Sequence, residues 1–153
     1  MNASGIAAQL RAWAERVGAL EDDALMLFVA DIAKVRGALD ALWVTAAGVV
    51  DDRGCARRMG FRRTEDWLAV VAGERPGAMH RDVELAAALA EAPAVDDAMR
   101  DGLSKAKAAE LVYAATLPVD VQKDLITQAG HLPVNQVASA VRKARLDHGQ
   151  PER

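Results

Sequence analysis

The sequence predicts an all-α fold, a multi-helix bundle with a long N-terminal heptad helix and an embedded helix-turn-helix. Hydrophobic residues make up 52% of the 153 residues but aromatic residues only 4%, and much of the hydrophobic content is alanine. Alanine loses the least free energy on entering a helix. No stretch shows the strict alternation of apolar and polar residues that a half-buried strand needs. Helices are therefore expected along the whole chain.

The first predicted helix spans residues 4–17. Apolar side chains recur there at the spacing of one helix face, and Gly18 interrupts the pattern. The residues of this face are Ile6, Leu10, Trp13 and Val17.

The second predicted helix, residues 21–50, carries a heptad pattern. Acidic residues occupy its first turn, where the helix dipole favours them. Apolar residues then alternate at spacings of three and four, which is the pattern of a coiled coil. We call this row the heptad seam; it consists of Leu25, Phe28, Ile32, Val35, Leu39, Leu42, Ala46 and Val49.

Two interpretations of the heptad seam remain open. Apolar residues also lie beside it, and Met26, Leu27 and Val44 are expected to be exposed on the outer face of the helix. A stripe this broad needs covering on two sides. The cover is either other helices of the same chain or a second chain, namely another copy or a partner domain. In the homodimer, the dimerisation residues are Leu25, Phe28, Ile32, Val35, Leu39 and Leu42.

An arginine-rich linker is predicted at residues 51–63. Five of its thirteen residues are arginine, and from residue 53 to 82 seven arginines stand against four acidic residues, although the net charge of the chain is −3. A local excess of arginine suits a polyanion. An ordinary solvated surface loop would have the same composition, so both interpretations stay open.

A helix-turn-helix is predicted after this linker. Thr64 is the expected N-cap of a short helix that runs to Ala72. Gly73–Gly77 is the expected break, and a longer helix follows until just before Pro93. In a DNA-binding helix-turn-helix the second helix enters the major groove. A bundle of short helices also produces this layout by chance.

The predicted DNA contacts follow from that layout. The first residues of the second helix, Ala78, Met79, His80, Arg81 and Glu84, would face base edges. Arginines before the helix would contact phosphates, and two lysines lie in the first turn of a later helix, where cations oppose the dipole. The predicted DNA-binding residues are Arg57, Arg58, Arg62, Arg63, Arg75, His80, Arg81, Lys105 and Lys107.

Four further helices are predicted at about residues 94–101, 105–116, 118–130 and 133–148. Gly102 is the expected glycine after the first of them, and Ser104 is the expected N-cap of the second. Pro118 and Pro133 suit the starts of the last two helices.

Two segments are expected on these grounds. Residues 1–52 form an N-terminal helical hairpin that is a candidate dimerisation segment, and residues 53–153 form the helical domain with the helix-turn-helix, unless both pack as one domain. Cys55 is the single cysteine, which excludes an intramolecular disulfide and favours a cytoplasmic location. No signal peptide and no apolar run of about twenty residues is visible, so no membrane partner is expected.

A series of short motifs extends along the chain from about Leu20 to Leu146. They are Gly60-Phe61, Thr64 to Ala69, Pro76-Gly77-Ala78, Arg81, Leu85-Ala86, Leu89, Pro93, Gly102-Leu103-Ser104, Lys107-Ala108, Leu117-Pro118 and Leu132-Pro133. In these motifs the chain resembles the actinobacterial domain of unknown function 222. That family is all-helical and is often found N-terminal to an HNH endonuclease. The resemblance therefore implies a DNA-related context and a separate nuclease domain as a partner.

The stretch from Trp67 to Leu111 is also similar to the helix-turn-helix of ParB-type partition proteins. The similarity lies in Gly102 to Ala108, which matches an element of the form G-L-S-x-x-x-A. Members of the first family more often carry His where this chain has Lys107.

The sequence contains no catalytic motif. His80, His131 and His148 fall on separate predicted elements, and no HExxH, P-loop, GxSxG or CxxC motif occurs. No enzyme activity, cofactor or metal is therefore expected. The leading hypothesis is a non-catalytic DNA-binding module of the helix-turn-helix type, alone or with a separate HNH nuclease or mobile element. The alternative is a protein-interaction or homodimerisation module that binds no nucleic acid.

Overall fold

The structure is a computed structural model that describes residues 1–151. The predicted all-α, multi-helix fold is confirmed, and no strand occurs in this part of the chain. The helices are α1 (Ala3–Arg16), α2 (Asp22–Asp52), α3 (Cys55–Arg58), α4 (Thr64–Ala72), α5 (Pro76–Ala90), α6 (Pro93–Arg100), α7 (Lys105–Leu111), α8 (Val119–Ala129) and α9 (Val134–Asp147).

The chain packs as two compact units, one of Met1–Ala33 and one that begins at Lys34. The division lies within α2, between Ala33 and Lys34. Buried residues of α2 begin at Gly37, so the helix contributes to the core of the second unit only from about that point.

The first unit consists of α1, a 3-10 turn at Val17–Ala19 and the beginning of α2. The side chain of Asn2 caps α1 by accepting a hydrogen bond from the amide of Gly5 at 3.0 Å. The rings of Trp13 and Phe28 lie 5.1 Å apart, and the Arg16 guanidinium lies 4.5 Å from the Trp13 ring centre. No residue of this unit is buried.

The second unit has a contiguous apolar core. Its largest fully buried side chains come from α2, α6, α7 and α9, and they are Met99, Leu111, Val44, Val95 and Val137. A smaller cluster of Ala47, Leu68, Ala69 and Met79 packs α2 against α4 and α5. The second cluster holds the predicted helix-turn-helix in place.

A close backbone contact joins α2 to the turn between α6 and α7. A Cβ atom added to Gly37 would lie 2.2 Å from the carbonyl oxygen of Gly102. Gly102 itself has a φ of 111°, which suits glycine after a helix end as predicted. Both glycines are therefore required by the packing and not only by their local turns.

Most predicted helix bounds agree with the structure to within a few residues, and Ser104 is confirmed as the N-cap of α7. The predicted helix at 105–116 instead ends at Leu111 and continues as a 3-10 turn at Val112–Ala114. The predicted linker at 51–63 was wrong in part, because α2 extends to Asp52 and α3 lies within it.

Thr64 is not an N-cap, contrary to the prediction. It is the first residue of α4, the N-cap position belongs to Arg63, and no side chain caps the helix there. The Thr64 side chain is buried, and its hydroxyl donates a hydrogen bond to the carboxylate of Asp51 on α2. The threonine thus ties α4 to α2.

Candidate nucleic-acid and protein interfaces

Helices α4 and α5 form a helix-turn-helix with a turn of three residues. Gly73 ends α4 with a φ of 68°, in the left-handed region that glycine adopts without strain. The amide of Glu74 then donates to the carbonyl of Ala69 at 3.0 Å, and Pro76 is the first residue of α5. A short turn with a glycine is the usual connection in this motif.

One face of α5 is used for packing and is unavailable to a ligand. Met79, expected among the residues facing a DNA groove, is only 4% exposed and packs in the small cluster with Leu68 and Ala69. That expectation was wrong, because residue 79 lies on the same face as the buried residues Asp82 and Leu85. His80, Arg81 and Glu84 are exposed.

His80 lies between two carboxylates. Its Nδ1 is 3.6 Å from Oε1 of Glu65 on α4, and its Nε2 is 3.3 Å from Oε1 of Glu84 one turn further along α5. A protonated His80 would form two ion pairs with these acids. A contact between His80 and DNA would have to compete with both.

Arg63 is also engaged with acidic neighbours. Its Nε and Nη2 donate to the two carboxylate oxygens of Asp66 at 3.2 and 3.0 Å, and Glu65 lies 3.5 Å away. The hydrogen bond with Asp66 raises the pKa of Arg63 and lowers the pKa of Asp66. Although Arg63 is exposed, two of its nitrogen atoms already donate to Asp66, so fewer N–H groups remain for a phosphate.

The remaining predicted arginines are exposed and form no ion pair with any residue from 1 to 151. They are Arg57 and Arg58 on α3, Arg62 before α4, Arg75 in the turn and Arg81 on α5. Arg57 and Arg62 line a shallow cavity of about 550 Å³ that Asp51, Asp52 and Glu65 also line. The surface here is basic but interrupted by acids.

Lys105 has a structural partner that the sequence did not reveal. Its Nζ lies 3.0 Å from Oδ1 of the buried Asp82, and the indole Nε1 of Trp43 donates to Oδ2 of the same carboxylate at 2.8 Å. The three side chains link α2, α5 and α7. A signal was present in the sequence, since residue 82 is an acid spaced three residues from both Met79 and Leu85 on the packing face of α5.

Lys107 is engaged as well. Its Nζ donates to the backbone carbonyl of Ala129 at the end of α8, at 2.6 Å. A cation at a helix C-terminus is stabilised by the dipole of that helix. This contact accounts for a lysine in the first turn of α7, where it opposes the dipole of its own helix.

Helix α2 carries apolar residues on two opposite sides. The side that packs in the core holds Gly37, Ala41, Val44 and Ala47. At 3.6 residues per turn, Val35, Leu39 and Leu42 lie on the opposite side, and they are 62%, 58% and 52% exposed. From Ile32 onward the chain itself leaves the heptad seam largely uncovered.

The outer-face expectation for α2 was correct at two positions and wrong at one. Met26 and Leu27 are 72% and 70% exposed, whereas Val44 is fully buried. Val44 belongs to the core side of the helix, which the heptad pattern alone did not distinguish from the outer face. Leu25 and Phe28, the first two seam residues, are only partly exposed.

Two features are absent from residues 1–151. None of the helices there has the length and apolar character needed to cross a bilayer. No three or more His, Cys, Asp or Glu side chains come together there in a way that could hold a metal ion.

The class that the fold defines is an all-α, multi-helix protein. Comparisons of the chain with protein-family models, with curated proteins and with solved structures find no match. The resemblance to the domain of unknown function 222 therefore stays a prediction.

Proposed function

We propose that the protein is a non-catalytic helical module that binds duplex DNA through the helix-turn-helix of α4 and α5. The observation that carries the proposal is the free, exposed state of Arg75 and Arg81 at the start of the second helix of this motif. Arginine at that place can reach phosphates or the acceptor edge of a guanine. The family resemblance supports the same context and a separate HNH nuclease or mobile element as a partner.

Contacts within the protein reduce the number of predicted DNA-binding residues that are free to contact DNA. Five arginines provide it: Arg57, Arg58, Arg62, Arg75 and Arg81. The others among the predicted DNA ligands, Arg63, His80, Lys105 and Lys107, have partners within the protein. His80 and Lys105 link α5 to α4 and to α7, respectively. Lys107 links α7 to α8, and Arg63 contacts acids at the start of its own helix.

A gel-shift titration of duplex DNA at several salt concentrations tests this function. We expect the logarithm of the binding constant to fall by about 0.9 per phosphate contact for each tenfold rise in salt. The triple variant Arg57→Ala, Arg58→Ala, Arg62→Ala should reduce that slope. The control is the double variant Arg142→Ala, Lys143→Ala. It removes two exposed cations on α9, outside the proposed interface. No binding to any duplex at low salt would refute the proposal.

Arg81 has a separate expected role in sequence discrimination. If it contacts a base edge, Arg81→Ala should lower the preference between duplexes by about 5- to 160-fold, which corresponds to roughly 1–3 kcal/mol per bidentate contact. Arg75→Ala should instead weaken all duplexes about equally. Equal losses for both variants would assign Arg81 to the phosphates.

A second function, protein association through α2, is favoured by the exposed part of the heptad seam. Contiguous exposed apolar patches of this kind mark interaction surfaces. Light scattering against concentration tests it: the wild-type protein should associate, and Leu39→Asp should not. Ala30→Asp is the matched control, because residue 30 is exposed on α2 and lies on the side of the helix away from the seam. Equal behaviour of the two variants would contradict the association function.

A further inference from the structure

Two charged residues flank the exposed part of the heptad seam. With Ile32, Leu39 and Ala46 at heptad position a and Val35, Leu42 and Val49 at position d, Asp31 occupies position g and Arg36 position e. Both residues are exposed, and neither forms an ion pair with any residue that the structure describes. They are the only charged residues at the e and g positions between Ala24 and Val50.

The positions of these two charges select one orientation of a paired helix. In a parallel, in-register coiled coil, a g residue faces the e residue five positions later on the partner. Asp31 of each copy would then face Arg36 of the other copy, which makes two ion pairs and no like-charge contact.

An antiparallel pair lacks this complementarity. There g residues face g residues and e residues face e residues. No basic residue lies at g, where Ala24, Asp31, Ala38 and Thr45 stand, and no acidic residue lies at e, where Val29, Arg36, Trp43 and Val50 stand. Neither charge would find an opposite charge in any antiparallel register.

We infer that a second copy of this chain docks along α2, parallel and in register, and covers the seam from Ile32 to Val49. The inference rests on the second function proposed above, association through α2, and it specifies the partner and its orientation. The opposite side of the helix is already buried against the core, whereas the seam residues Val35, Leu39 and Leu42 are each more than half exposed.

Charge reversal tests the orientation. Asp31→Arg places an arginine opposite Arg36, and Arg36→Asp places two acids opposite each other, so each variant alone should associate roughly tenfold more weakly. An equimolar mixture of the two variants restores opposite charges at both contacts. Sedimentation analysis should then show a heterodimer with an affinity close to that of the wild-type protein. A mixture no tighter than either variant alone would overturn the inference.

Disulfide trapping gives an independent readout that does not depend on charge. In a Cys55→Ser background, Val35→Cys and Leu42→Cys should each form a disulfide-linked dimer under mild oxidation, because d positions meet their own counterparts in a parallel pair. Thr45→Cys is the control and should link poorly. In an antiparallel pair, only a cysteine near the symmetry axis could link to its own copy, so at most one of the two seam variants would do so.

The outcomes separate the inference from the function beneath it. If the wild-type protein associates and Leu39→Asp does not, but the charge and cysteine patterns fail, the association function stands and the parallel second copy is wrong. If the wild-type protein is monomeric at all concentrations, both are wrong. Neither result tests the proposed binding of duplex DNA by α4 and α5.

Discussion

At the scale of single residues, the buried carboxylate of Asp82 is the most consequential side chain. It accepts a hydrogen bond from Trp43 and pairs with Lys105. Removal of one partner of a buried ion pair leaves the other charge uncompensated. We expect Asp82→Ala to lower the free energy of unfolding by about 3 kcal/mol. We expect Lys105→Met to lower it by about as much, because that variant leaves the buried carboxylate of Asp82 without its cation.

Urea denaturation followed by circular dichroism measures both changes. Lys123→Met is the control, since Lys123 is exposed on α8 and its side chain forms no ion pair with the described residues. The control should stay within about 0.5 kcal/mol of the wild-type protein. A loss for Lys105→Met no larger than that of the control would show that the ammonium is not a structural partner, and would return Lys105 to the DNA interface.

Gly37 yields a second residue-scale prediction. Alanine at this position would improve helix propensity by about 1 kcal/mol in an exposed helix, but here its Cβ would meet the backbone of Gly102 at 2.2 Å. Backbone has no rotamer to yield, so the helix must move. We expect a net loss of about 2 kcal/mol or more in the free energy of unfolding.

Gly77→Ala is the matched control for Gly37→Ala in thermal unfolding. Gly77 lies in the first turn of α5, and a Cβ added there meets nothing within 4 Å. The control should be neutral or slightly stabilising. Equal melting temperatures for the two variants would mean that α2 does not cross the α6–α7 turn as closely as described.

At the scale of elements, the two sides of α2 should respond differently to truncation. Val44→Ala removes a fully buried side chain and should cost about 2 kcal/mol in unfolding free energy. Leu39→Ala removes a larger side chain that is 58% exposed and should cost less than about 0.5 kcal/mol in dilute solution. Chemical denaturation at low protein concentration separates them. The reverse ranking would mean that the seam is covered within the chain.

The sequence predicted most of the elements because helix periodicity, proline and glycine are local signals. The glycine at residue 102 and the Ser104 cap both follow from local chemistry. Pro76, which the sequence placed in the break between two helices, is instead the first residue of α5. The N-cap prediction for Thr64 failed because the Thr64 hydroxyl donates a hydrogen bond to Asp51, thirteen residues away. Rules that use only neighbouring residues do not include that contact. The short helix α3 was missed because four residues are too few to show a period.

The candidate interface was less predictable than the elements. A list of basic residues on the sequence does not state which of them have partners, and Lys107 bonds to a carbonyl 22 residues away. The period of the apolar residues predicted the seam, but it did not predict whether the seam lies on the core side or the exposed side of α2. The period places Val35 and Leu42 in one row, whereas only the burial of Val44 shows which side of α2 the core occupies.

At the scale of the whole molecule, the first unit should be the less protected of the two. No residue of Met1–Ala33 is buried, so few apolar contacts oppose its local opening. Hydrogen exchange at low protein concentration should therefore be fast in α1 and slow in α7 and α9. Protection of α1 equal to that of the second unit would contradict this ranking.

The two-sided character of α2 has a consequence for how stability and association are linked. The same helix supplies core residues and seam residues, so the chain cannot unfold α2 and keep a partner bound there. Binding at the seam then stabilises the folded chain by mass action. The melting temperature should therefore rise with protein concentration. Near that temperature, where an appreciable fraction of the chain is unfolded, Val44→Ala should also weaken the apparent association, although Val44 faces the core.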